Sequence, residues 1–292
     1  MPASGTSARS LLATLNVEHP EWRPLLALVD EALCETERPA WARFVPALRH
    51  TGDDRRPLLD GAVITVAPSV VARWVRRFLK VAAAGGSEVK ALTTMDPLFL
   101  FEIAVSQDVH RLGELARFAK DDGGVVQGLA PLIARPMLQA CRRSWAERVP
   151  SGWAAGHCPI CGGAPALGEL RGLDGGRHLR CAGCGGDWPT DWLRCPFCGE
   201  AGHDKLGSLM SPDTLERQSI DVCDGCGSYV KALTTLTAIP PEHVVVQDLA
   251  TAVLDVAALE RGYRRHATNG RGVAVSVVAE PSWLRERLGL LP

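Results

Sequence analysis

Cys158-Pro-Ile-Cys161-Gly-Gly163, Cys181-Ala-Gly-Cys184-Gly-Gly186, Cys195-Pro-Phe-Cys198-Gly199 and Cys223-Asp-Gly-Cys226-Gly-Ser228 are four Cys-x-x-Cys knuckles, each with a glycine directly after its second cysteine. Two residues between the thiols let a tight turn aim both sulfurs at one ion, about 2.3 Å from each for zinc. The following glycine is expected at positive φ, where a side chain would be strained. The N–H groups of the turn then point at the sulfurs and offset part of the thiolate charge. Pro159 and Pro196 stiffen two of the turns. Eight ligands make two tetrahedral four-thiolate sites. In the simplest pairing Cys158/Cys161 join Cys181/Cys184 across 19 intervening residues, close to zinc-ribbon spacing, and Cys195/Cys198 join Cys223/Cys226 across 24. Spacing alone leaves an interleaved pairing open.

Other chemistries fit these cysteines poorly. A dithiol redox centre places one such motif at a helix start after a strand, not four in Gly-rich turns. Iron–sulfur clusters use other spacings. Catalytic zinc needs an open coordination position, and eight thiolates for two ions leave none. His157 and His203 flank knuckles, but the ligand count is complete without them. Tetrahedral sulfur suits iron and zinc alike, and Cys-Pro-x-Cys-Gly is both the rubredoxin and the zinc-ribbon form. The remaining two of the ten cysteines, Cys34 and Cys141, sit in apolar helical contexts and read as small buried hydrophobes.

Outward from the knuckles the composition changes. The stretch from Pro150 to Ser228 is rich in Gly, Pro and Cys and cannot fold on an apolar core alone, which is why it needs metal. Before it, apolar spacing predicts helices over 21–34, over 70–84 with Ser69 as N-cap, from Asp96-Pro97 onward, over 108–120, and over 129–149 with Pro136 kinking or splitting the last. Arg73, Arg76, Arg77 and Lys80 lie largely off the apolar stripe of the second of these and read as a solvated face, with a docking surface for an acidic partner as the alternative. After the knuckles, 233–246 reads as a short strand or extended segment, 248–260 as a helix capped near Asp248 and closed by Gly262, 273–278 as an edge strand and 283–291 as a short helix. The expected class is therefore α plus a small metal-stabilised β part. An N-terminal helical bundle (1–152) precedes two rubredoxin-like four-cysteine modules (153–194 and 195–240), and a strand, helix and tail (241–292) follow.

Charge and hydropathy narrow the function. The net charge is −1, and between Cys158 and Val230 six basic side chains face ten acidic ones. That balance opposes phosphate contacts, so a nucleic-acid-binding zinc ribbon is the weaker alternative. A rubredoxin-like electron-transfer or redox-sensing module is another. Nothing approaches the roughly 20 apolar residues a bilayer span needs, and 11–17 is too interrupted for a secretory signal. A cytoplasmic location without membrane insertion is expected. No phosphate-binding glycine loop or nucleophile–base grouping stands out, so no catalytic residue is assigned.

The helical N-terminal half, His157-Cys-Pro-Ile-Cys-Gly-Gly-Ala-Pro165, Cys195-Pro-Phe-Cys-Gly199, Val222-Cys-Asp-Gly-Cys-Gly-Ser-Tyr-Val-Lys231, Asp248-Leu-Ala-Thr-Ala-Val-Leu-Asp255 and Glu260-Arg-Gly-Tyr263 resemble the formate dehydrogenase accessory (FdhE) family. The resemblance is specific over 156–263 and looser before it. It implies an assembly factor and not an enzyme, one that binds the catalytic subunit of formate dehydrogenase and supports its maturation. It also implies iron, or zinc, at Cys158, Cys161, Cys181, Cys184, Cys195, Cys198, Cys223 and Cys226. Self-association is left open.

Overall fold

Every position from 132 to 141 is buried in a single helix, α7 (Val125–Trp145), once all helices are numbered along the chain. A helix stretch buried on every side, even at Arg135 and Gln139, belongs at the centre of its neighbours. In this computed structural model, which describes residues 7–48, 55–121, 124–210, 217–265 and 272–281, α7 is the axis of the N-terminal half. Against it pack α2 (Arg23–Thr36), α5 (Pro97–Ser106) and α6 (Val109–Ala119); α3 (Pro68–Ala84) lies on α2 and α5, α1 (Ala8–Glu18) on α2, and the short α4 (Lys90–Thr93) on α3 and α6. The Trp74 indole donates to the Ile133 carbonyl at 2.9 Å, tying α3 to α7. Trp41 stacks on Phe101 at 5.4 Å and donates to Glu35 at 2.9 Å.

The predicted helices 21–34, 70–84 and 108–120 appear as α2, α3 and α6, and the one from Asp96-Pro97 as α5. Asp96 and Asp108 cap their helices through side-chain oxygens. Three details differ. α3 begins at Pro68 with Ala67 as its cap, so Ser69 lies inside the helix; Pro at the first position needs no donor there. α7 begins four residues earlier than expected and runs unbroken through Pro131 and Pro136. Each proline forgoes one helical hydrogen bond; Pro131 lies on an exposed face, while at Pro136 burial on every side holds the helix through that loss. Arg77 is not simply solvated, because it pairs with Glu31 and Glu35 of α2.

The second half is built on one seven-stranded sheet, not on two separate ribbons. Its path runs β4 (Asp187–Pro189), β3 (Gly176–Cys181), β2 (Pro165–Arg171), β7 (Ser228–Thr235), β6 (Gln218–Cys223) and β5 (Leu206–Leu209), with β8 (Arg264–Arg265) on β7. Each knuckle pair carries its own antiparallel hairpins, and the parallel pairing of β2 with β7 joins the two. Glu169, fully buried on β2, pairs with Arg171 and Arg180 and accepts from the Ile239 N–H at 2.7 Å.

Beyond the sheet, the expected helix 248–260 is two helices, α8 (Val244–Ala250) and α9 (Ala252–Glu260), broken at Thr251. Asp248 is internal to α8 and is no cap. It binds Lys231 of β7 at 2.6 Å, and Asp255 of α9 binds the same ammonium at 2.7 Å, so the break seats both carboxylates on one buried cation. The extended segment expected over 233–246 is strand only to Thr235 and is already helical at Val244. The strand expected near 273–278 is β9 (Ser276–Ala279), which pairs in parallel with β1 (Val63–Val66), a strand the apolar pattern did not reveal. The helix expected over 283–291 lies outside the described residues.

Candidate metal centres

The eight knuckle cysteines gather into two groups in chain order. Cys158, Cys161, Cys181 and Cys184 form one; Cys195, Cys198, Cys223 and Cys226 form the other. Within each group all sulfurs lie within 4.8 Å of one another. Cross-knuckle separations are 3.6 Å (Cys158–Cys184), 3.4 Å (Cys161–Cys181), 3.8 Å (Cys195–Cys226) and 3.7 Å (Cys198–Cys223). A tetrahedron of sulfurs about 2.3 Å from zinc has edges of about 3.8 Å, so both groups fit a four-thiolate ion.

The knuckle turns repeat one construction. Gly162, Gly185, Gly199 and Gly227 stand at φ of 73°, 72°, 77° and 68°, as expected of the residue after each second cysteine. Each donates its N–H to the carbonyl of the first cysteine of its knuckle, at 2.8–3.1 Å. In the first group the N–H groups of Ile160, Cys184 and Gly186 approach sulfurs at 3.4 Å. These donors offset charge on coordinated sulfur.

Surroundings separate the two groups. All four sulfur-bearing residues of the first are fully buried and belong to the same apolar cluster as the helices. Leu58 and Leu59 donate backbone N–H groups to the carbonyls of Pro159 and Ile160 at 2.8 and 2.9 Å. Gln107, at φ 53° where α5 ends, donates through Nε2 to the Cys161 carbonyl at 2.7 Å. Arg135 and Arg180 donate to the carbonyls of Ala182 and Gly185 at 2.6 and 2.9 Å. Burial, with hydrogen bonds from the other three sulfurs, pushes the Cys158 thiol up. Against the same burial, hydrogen bonds from its neighbours draw the Cys181 thiol down. None of these partners was visible in the spacing of the sequence. An arginine amid apolar neighbours, Arg135 in Leu132-Ile-Ala-Arg-Pro-Met-Leu138, was the one signal the sequence could give.

The second group is peripheral. Cys198 is exposed and Cys226 half-buried. Its loops are pinned by Glu200, which accepts from the N–H groups of Ala201 and Gly202 at 2.9 and 2.8 Å, and by the Tyr263 hydroxyl, which donates to Asp224 at 2.7 Å. Beside it opens a pocket of about 240 Å³, lined by Cys195, Cys223, Phe197 and Val222 with Trp192 and Leu193 at its mouth. Both of these last two side chains are more than half exposed, at 51% and 75%. Of the other cysteines, Cys141 is buried as expected. Cys34 is only half-buried and accepts from Arg9 at 2.9 Å.

Residues 193–270 match the sequence model described as FdhE, C-terminal domain. The Protein FdhE of Escherichia coli O127:H6 is 30% identical over 182 residues, covering 58% of this chain and 55% of that protein. The Protein FdhE of Shigella boydii serotype 18 gives the same figures. The chain therefore matches about half the length of these curated relatives. The crystal structure of the FdhE protein from Pseudomonas aeruginosa shares the fold, with a TM-score of 0.55 and 21% identity over 91% of this chain and 94% of that one. The family resemblance read from the knuckles is borne out, as is the mixed class of N-terminal helices, four-cysteine groups and C-terminal helices.

Proposed function

We propose that this chain, whose residues 193–270 match the FdhE C-terminal domain model, is an accessory protein that binds the catalytic subunit of formate dehydrogenase in the cytoplasm. On this reading it supports maturation of that subunit without itself being an enzyme. The observation that carries it is the coincidence of two features: the domain match, and all eight knuckle cysteines grouped as two four-sulfur sites. Those sites hold iron or zinc, with Cys158, Cys161, Cys181 and Cys184 as one ligand set and Cys195, Cys198, Cys223 and Cys226 as the other. When bound, the ion cross-links segments that are far apart in the chain, and such binding is itself folding free energy. No described helix is long and apolar enough to cross a membrane.

An anaerobic pull-down of the full chain against a formate dehydrogenase catalytic subunit, with metal content measured on the same sample, tests this. Co-purification that disappears in a Cys158→Ser/Cys161→Ser variant is expected. Full retention of the subunit by that metal-depleted variant contradicts the coupling of metal to binding.

A redox role is favoured by one observation: Cys198 reaches the surface, so an ion there lies near solvent and any docked partner. Anaerobically purified protein should then absorb as ferric thiolate on oxidation. Colourless protein carrying two zinc ions ends that reading and leaves the accessory role intact.

A further inference from the structure

Arg135 sits on α7 with 1% of its surface exposed. Its Nη2 donates to the carbonyl of Ala182, which lies between Cys181 and Cys184. Nε and Nη1 have no hydrogen-bond partner among the described residues. Other buried cations are answered by carboxylates: Arg177 by Asp221 at 2.9 Å, Arg180 by Glu169, Lys231 by Asp248 and Asp255. Arg135 has no such carboxylate among the described residues.

A lone charge in a core is strongly unfavourable, and a guanidinium does not escape by shedding its proton. Burial pulls its pKa down, and the groups that oppose this are Cys181, Cys184, the already paired Asp248, and Cys161. As thiols those three cysteines carry no charge. Binding one divalent ion releases the thiol protons and leaves four thiolates around two positive charges, a site of net charge −2.

We propose that Arg135 is the counter-charge of the buried four-thiolate centre, stabilising its metal-loaded form and not merely bracing the knuckle through Ala182. The proposal rests on the metal reading of that centre. It gives the guanidinium a task that depends on occupancy: a buried cation without a partner beside an empty centre, and the counter-charge of a loaded one. The peripheral group, with Cys198 at the surface, has solvent for the same purpose.

The test uses the full chain carrying Cys195→Ser/Cys198→Ser, so that only the buried centre binds zinc. Zinc retention against a chelator and denaturant resistance with and without zinc are measured for this parent, Arg135→Gln and Arg135→Lys. Glutamine removes the charge and, two atoms shorter than arginine, also the reach of Nη2 to Ala182; lysine keeps the charge without the guanidinium fork, so it separates the charge from the bond to Ala182. The expected result is a 10- to 100-fold loss of zinc affinity in Arg135→Gln, the usual range for a lost outer partner of a metal ligand. The zinc-stripped Arg135→Gln should be at least as resistant as the stripped parent, and Arg135→Lys should retain zinc within a few-fold. Unchanged affinity in Arg135→Gln, or equal destabilisation with and without zinc, overturns the proposal. If the glutamine variant does not accumulate, the lysine variant decides: retention supports the counter-charge, and loss of zinc overturns it. A parent that holds no zinc overturns the metal reading itself, a failure visible before any Arg135 variant is made.

Discussion

The two four-cysteine groups share ligand type, turn geometry and glycine placement, yet one is inside the helical core and the other at the rim. In the first, every cysteine is fully buried and the knuckle carbonyls are taken up by Leu58, Leu59, Gln107, Arg135 and Arg180. In the second, Cys198 is exposed and the bracing comes from nearby loops and Tyr263. An identical four-cysteine motif therefore occupies two structural positions, and on the proposed metal reading what surrounds it decides whether losing an ion disturbs the body of the protein or only its edge.

The largest expected contrast comes from removing ligands. Structural four-ligand sites contribute on the order of 10–16 kcal/mol of apparent metal-binding energy. Cys158→Ser/Cys161→Ser should sharply lower the denaturant midpoint of the helical half and broaden its unfolding, followed by near-ultraviolet circular dichroism of its tryptophans. Cys195→Ser/Cys198→Ser should lose one ion and leave that signal cooperative. Equal damage from the two variants would erase the distinction. The same asymmetry should appear in time: a chelator added to loaded wild type should empty the peripheral site first, giving two phases of metal release, whereas a single phase would argue that the sites open together.

Next come the glycines. A Cβ at Gly185 would stand 2.1 Å from the Pro241 carbonyl oxygen, whereas one at Gly227 meets nothing within 4 Å. Gly185→Ala should cost on the order of 3 kcal/mol or more, through both clash and positive φ. Gly227→Ala should cost about 1–2 kcal/mol, through φ alone. Melting temperatures of the metal-loaded variants measure both, and equal shifts would mean that crowding at the inner knuckle is relieved by movement.

The smallest effect sharpens the contrast from the helical side. Gln107→Ala removes the bond to the Cys161 carbonyl and should cost about 1–2 kcal/mol. Denaturant midpoints should record that loss in the loaded protein. A neutral result would show that water satisfies the carbonyl as well as the amide does.

Legibility in the sequence followed distance along the chain. The knuckles, their positive-φ glycines and the helix start at Asp96-Pro97 are local patterns, complete within a few residues, and all stand where the sequence put them. The pairings that needed distant partners were hidden. No spacing rule could join β2 to β7 and so turn two expected ribbons into one sheet. Nor could one show that Val63–Val66 is a strand, because its partner is β9. Pro136 misled for the same reason: a local breaking signal was outweighed by packing from α2 and α5, which are remote in sequence. Arg135 and Gln107 gave no motif at all, since each acts on a knuckle that it meets only in three dimensions.

The parallel pair of β1 and β9 has a consequence for synthesis on the ribosome. Asp60 accepts from the Ala274 N–H at 2.8 Å, a closure between residues 214 apart. The amino-terminal helices leave the exit tunnel long before the strand that borders them exists, and a chain made vectorially must hold that edge open through most of its own translation. Nascent intermediates halted just short of β9 should thus be the form most open to capture by chaperones.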